Sequence, residues 1–97
     1  MASKVSERML ARVWERGSWN GERLYPDVGE PLQVVYPGRE NTDRGPDFLG
    51  AILATEGAEL LQGDVEVHLK AGDWRTHGHH RDPGYNGVVL QVVWAGE

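Results

Sequence analysis

Seven consecutive residues, Asp64-Val65-Glu66-Val67-His68-Leu69-Lys70, alternate between ionisable and aliphatic side chains. That is the period of a β-strand. It sets four ionisable groups in one row, with neighbours about 6.6–7 Å apart. An exposed sheet edge can carry the same mixed charge, so the row alone leaves a solvated face and a chemical face both open. A second element, Gly45-Pro46-Asp47-Phe48, precedes it. If Asp47 opens a strand that pairs with the one carrying Glu66, two carboxylates come together. Paired carboxylates offer the hard oxygens that Mg²⁺ and Mn²⁺ take. His68 or Lys70 beside them could orient or deprotonate a water, or neutralise charge building on a phosphate. Asp47 and Glu66 are thus candidate metal ligands, and His68 and Lys70 candidate catalytic residues.

The third element is Asp73-Trp74-Arg75-Thr76-His77-Gly78-His79-His80-Arg81-Asp82-Pro83. All 4 histidines of the chain fall between positions 68 and 80. Imidazole is the commonest metal ligand and titrates near neutrality. The spacing matches no standard zinc pattern, and His-Glu-x-x-His is absent. Three readings stay open: a polar loop bonded to its own backbone, a Zn²⁺ or substrate site through His77, His79, His80 and Asp82, or an anion site with Arg75 and Arg81. Trp74 and Tyr85 could stack a base or sugar, or anchor the loop on a sheet. No glycine-rich phosphate loop is present.

Positioning these groups requires a frame. Ser3 to Arg16 reads as a helix with Ser3 as N-cap, Gly17 as its stop, and Val5, Met9, Val13 and Trp14 on one face. Ser18 to Pro31 reads as a loop or loose hairpin. Leu32 to Tyr36 reads as a strand ended by a Pro37-Gly38 turn. Asp47 to Thr55 and Ala58 to Lys70 read as a hairpin turning at Glu56-Gly57, with Gly63 a bulge or a point of close approach. Ala71 to Gly87 is an irregular crossover with room for a short helix or turn. It is long enough to bring a buried last strand, Val88 to Trp94, back parallel. The expected fold is α+β (α/β-like): an N-terminal helix, then a mixed sheet of about four strands with a His-rich crossover.

A chain of 97 residues allows a single domain over 1–97. With 39% hydrophobic and 26% charged residues, it is neither disordered by composition nor membrane-embedded. No apolar run approaches the ~20 residues that span a bilayer, and Met1 to Leu10 lacks the core of a signal peptide. Cys is absent, which excludes disulfides and thiolate metal sites. A cytoplasmic protein with no membrane partner is expected. A net charge of −5 gives no global attraction to nucleic acid, so a nucleic-acid partner would need a local basic patch. The apolar Val88–Trp94 segment suggests a piece of a longer protein, with a C-terminal domain to follow, or a homo-oligomer; a complete small domain is the alternative.

The segments Gly45-Pro46-Asp47-Phe48, Gly63-Asp64-Val65-Glu66-Val67-His68 and His77-Gly78-His79-His80 together resemble a bacterial family known as domain of unknown function 2851, over roughly residues 5–95. That resemblance implies a longer parent protein and no established activity. In the family's pattern the last strand usually carries His where this chain has Gln91. The element order is more distantly similar to the αβββαβ core of the PD-(D/E)xK nucleases. That similarity implies Asp47 and Glu66 as metal ligands, with Glu7 or Glu15 as a further carboxylate. Its lysine position falls on His68, and Lys70 lies one pleat further along. The expected function is a metal-dependent phosphodiesterase or nuclease-like hydrolase, using Mg²⁺ or Mn²⁺ with Zn²⁺ as the alternative. The competing expectation is a non-catalytic binding or scaffold module with a structural His-rich metal or anion site. A composite site arises if His77 or His79 folds back over Glu66.

Overall fold

The computed structural model describes residues 6–17, 23–25, 29–70 and 72–95. One helix leads into a mixed sheet. Helix α1 runs Glu7–Arg16, and Ser6 caps it by accepting from the Met9 amide at 3.1 Å. The expected cap, Ser3, and the expected apolar residue Val5 lie outside the described residues. The buried face is only partly the expected one: Trp14 is buried as expected. Leu10 and Trp14 pack on the sheet, whereas Met9 and Val13 are 54% and 63% exposed. Trp14 decides this rotation. It is the largest apolar group on the helix, and its Nε1 needs an acceptor, which it finds in Pro37 O at 3.0 Å.

Among the described residues six strands follow: β1 Arg23–Leu24, β2 Leu32–Tyr36, β3 Arg39–Glu40, β4 Phe48–Thr55, β5 Leu60–Lys70 and β6 Val88–Ala95. Their order across the sheet is β1-β2-β4-β5-β6, with β3 also on β4. The two extra strands are the two-residue β1, within the segment read as a loop, and β3. Pro37-Gly38 does not turn the chain away. The backbone passes them and resumes on β4, with Arg39 opposite Leu49 and Glu40 opposite Phe48. The β4–β5 hairpin is antiparallel and turns at Glu56-Gly57 as expected, with Ala58 N donating to Thr55 O. β6 returns parallel to β5 after the crossover. It lies at the edge of the sheet among the described residues, rather than between two neighbours.

The core lies between α1 and one face of the sheet: Leu10, Trp14, Val34, Phe48, Ala51, Leu53, Val65 and Val67. Gly63 is a point of close approach. A Cβ there would meet the Val89 side chain and stand 2.8 Å from Gly87 O. Gly63→Ala should therefore push the start of β6 off β5 and destabilise the fold by about 1–3 kcal/mol. Urea unfolding checks this. Gly57→Ala, whose Cβ would meet only Thr55 Oγ1 at 3.8 Å, is the control and should stay near wild type.

Candidate metal centre

β5 is covered on both faces. Val65 and Val67 face the α1 core. Alternation turns Glu66 and His68 to the opposite face, yet they are only 5% and 1% exposed. What covers them is the crossover: α2 (Asp73–Thr76) followed by two single-turn 3₁₀ segments, His79–Arg81 and Pro83–Tyr85.

Asp47 reaches this face from the loop before β4. The last Cα pair between β4 and β5 is Phe48 with Val65. Beyond it the Asp47 carboxylate takes over from the ladder: Oδ2 accepts from Val67 N at 2.8 Å, and Asp47 N donates to Glu66 Oε1 at 3.1 Å. Asn41 holds this loop in shape. Its Nδ2 donates to Arg44 O and Pro46 O, its Oδ1 accepts from Asp43 N, and its own N donates to Asp47 O. Asp64, the first member of the ionisable row, is used elsewhere. Its Oδ1 accepts from Gly50 N at the irregularity where β4 slips against β5.

The crossover delivers the loop histidines. Gly78 sits between His77 and His79 with φ +75°, the left-handed region that lets the chain reverse in one residue. His79 then stacks on His68, with centroids 5.0 Å apart and planes 15° apart. Tyr85 covers the far side of His79 at 3.8 Å, and Trp74 meets its edge at 5.4 Å. The Tyr85 hydroxyl donates to Gly45 O at 3.2 Å, which ties the crossover to the Asp47 loop. His77 stands edge-on to His68 at 5.1 Å.

The polar atoms converge. Glu66 Oε2 lies 2.8 Å from His79 Nε2 and 3.1 Å from His68 Nε2. His68 Nδ1 lies 2.6 Å from Gln91 Oε1. The contact of His68 Nε2 with Glu66 is off the line a hydrogen bond needs, so this buried nitrogen has no hydrogen-bond partner. His68, His77 and His79 each offer a ligand atom within 4.8 Å of the other two, so the three could hold a metal ion. Tetrahedral Zn²⁺ with Zn–N near 2.0–2.1 Å puts its ligand atoms about 3.4 Å apart, so the rings, two of them stacked, would have to turn toward one another to bind it. Burial is graded: His68 is buried, His79 is half-buried and His77 is exposed.

Electrostatics follow from that burial. Desolvation, then the hydrogen bond and charge of Asp47, push the Glu66 carboxyl from 4.5 up to about 8. Desolvation and the neighbouring His68 and His77 hold His79 below the usual imidazole range. Desolvation, then Glu66 and Asp47, push the Tyr85 phenol up.

Asp47, Glu66, His68, His77 and His79 are thus in one place, with Trp74 at its wall. Lys70, Arg75, His80, Arg81 and Asp82 are exposed around it. Lys70 is tied through its backbone N to Asp73 Oδ2, and Asp82 Oδ1 accepts from Gly84 N. Glu15 pairs with Arg12 at 2.9 Å. Glu7 acts on Glu66 only through its charge. Sequence reasoning gave Gln91 no role at this site. The available signal was one polar residue in the run Val88-Val89-Leu90-Gln91-Val92-Val93, in register with Glu66 across the β5–β6 ladder.

The model of a family described as a protein of unknown function (DUF2851) matches residues 7–97. The chain belongs to that family. No curated protein and no solved structure matches it. A similarity between this DUF2851 chain and the PD-(D/E)xK nucleases is not shown by these comparisons. Among the described residues no helix is long and apolar enough to cross a membrane.

The raised Glu66 pKa fixes the sign of a pH effect. Between about pH 4.5 and 8 the folded chain keeps a proton that the unfolded chain has released. Stability then falls as pH rises through that window. Glu66→Gln removes the effect. The melting temperature of metal-free wild type, relative to Glu66→Gln, should therefore decline from pH 4.5 to 8 and level off above it. Parallel profiles for the two proteins would contradict the assignment.

Proposed function

We propose that this DUF2851 domain is a divalent-metal-dependent phosphodiesterase, nuclease-like in its order of elements, with the ion held by His68, His77 and His79 and with Glu66 beside its open fourth position. The observation that carries this reading is the buried His68 Nε2 without a hydrogen-bond partner, 3.1 Å from Glu66 Oε2, on a ring whose ligand atom lies within 4.8 Å of those of His77 and His79. Leaving such a nitrogen unpaired costs about 1–3 kcal/mol, and a cation among these groups would remove that cost. Three imidazoles suit Zn²⁺ far better than Mg²⁺, which prefers oxygen and retains its waters. Such an ion supplies Lewis acidity to a phosphoryl oxygen and brings the pKa of a bound water near 7.

The chain's own residues supply the rest. Glu66 Oε2, 2.8 Å from His79 Nε2 and 3.1 Å from His68 Nε2, would accept the proton of a water in the fourth position. Tyr85 holds the His79 ring flat against its own. The half-buried to exposed position of His79 and His77 leaves one side of the cluster open to solvent. The exposed Arg75 and Arg81 flank it on the same crossover and would take up phosphate charge.

Calorimetric titration with Zn²⁺, Mn²⁺ and Mg²⁺ tests the ligand set. One equivalent of Zn²⁺ should bind, Mg²⁺ should not compete, and His79→Ala should weaken Zn²⁺ binding by at least ~100-fold. The loaded protein should hydrolyse bis(4-nitrophenyl) phosphate faster than Zn²⁺ in buffer. Zn²⁺ binding without hydrolysis would replace the enzyme by a non-catalytic metal module. No binding by any of the three ions would remove both readings.

A further inference from the structure

We propose that Gln91 is a positioning residue: it fixes the tautomer of His68 and thereby turns the Nε2 lone pair toward the metal centre. The inference rests on the metal-site reading above, but its first half concerns the metal-free protein.

A neutral imidazole carries one N–H and one bare lone pair, and whichever nitrogen meets an acceptor must hold the proton. His68 Nδ1 stands 2.6 Å from Gln91 Oε1, and an amide oxygen can only accept. With the amide oxygen turned to the ring, the proton is placed on Nδ1. That leaves Nε2 with its lone pair at the one place in the ring's surroundings where no hydrogen bond meets it. The opposite tautomer would aim an N–H into the cluster and close His68 to a cation.

Gln91 is well placed to impose this choice. It comes from β6, whose parallel ladder on β5 sets Gln91 opposite Glu66 and Val93 opposite His68. Both partners of the 2.6 Å contact thus stand on adjacent, hydrogen-bonded strands rather than on loops, so their separation is set by the sheet. The amide also differs from a carboxylate in that position. A carboxylate there would fix the same tautomer and make the ring more basic, whereas the neutral amide orders the ring without adding charge.

The test uses three proteins: wild type, Gln91→Leu and Gln91→Glu. Long-range ¹H–¹⁵N correlation of the imidazoles at pH 8, without metal, should show wild-type His68 protonated on Nδ1 and bare on Nε2. Gln91→Leu should shift His68 toward the other tautomer, and its Zn²⁺ affinity should fall about 10–100-fold. Gln91→Glu keeps an acceptor, so it should retain the wild-type tautomer and recover Zn²⁺ affinity. Thermal midpoints check that the variants fold, and the Leu–Glu contrast separates tautomer control from mere packing. Wild-type His68 protonated on Nε2 would overturn the proposal. So would a Gln91→Leu protein with unchanged tautomer and affinity. The expected tautomer in a wild type that binds no Zn²⁺ would overturn the metal-facing half, and with it the proposed function, while leaving tautomer control by Gln91 standing.

Discussion

Glu66 and His68 lie next to each other on the second face of a strand whose first face already forms the hydrophobic core. Removing an acid and an imidazole from water is unfavourable unless each finds a partner. The site is the set of partners that the fold brings to these two side chains. Asp47 N reaches one oxygen of Glu66, and His79 and His68 reach the other. Gln91 satisfies one nitrogen of His68. Among the described residues one buried side-chain nitrogen, His68 Nε2, remains without a hydrogen-bond partner.

The cover over this face is irregular chain, which makes its anchoring important. A parallel return from β5 to β6 needs a long crossover, and the crossover lies across the Glu66–His68 face. It is fastened at Lys70 N by Asp73, at His68 by stacking of His79, and at Gly45 by the Tyr85 hydroxyl. The last contact joins two loops that are distant in sequence. Tyr85 thus touches both the loop before Asp47 and the ring of His79.

The two carboxylates do different things despite their proximity. Asp47 Oδ2 is committed to the Val67 backbone, where it stands in for a missing strand partner. Glu66 presents one oxygen to that backbone side and the other to the imidazoles. A pair that looks suited to a hard ion thus has one member engaged in holding the sheet. The other oxygen of Glu66 lies on the nitrogen-rich side, beside His68 and His79.

Much of the frame was legible in the residue pattern. The helix, the Leu32–Tyr36 strand, the β4–β5 hairpin, the close approach at Gly63 and the parallel return of the last strand all follow from local periodicity, turn chemistry and connection length. These signals act over a few residues, where backbone geometry dominates. The face of α1 was not legible, because Met9 and Val13 are as apolar as Leu10; only the acceptor at Pro37 decides which way Trp14 turns. The strand beyond Pro37-Gly38 was hidden for a similar reason, since its partners on β4 are supplied by tertiary pairing. Sequence by itself determined which side chains were available for chemistry: the acid-x-His row, the Pro-Asp before it and the histidines after it. Tertiary structure decided which of them meet. It brought His77 and His79 over His68, left His80 and Asp82 in solvent, and added Gln91 from a neighbouring strand. That choice depends on the path of the crossover and the register of β6, and both are set by packing over the whole sheet.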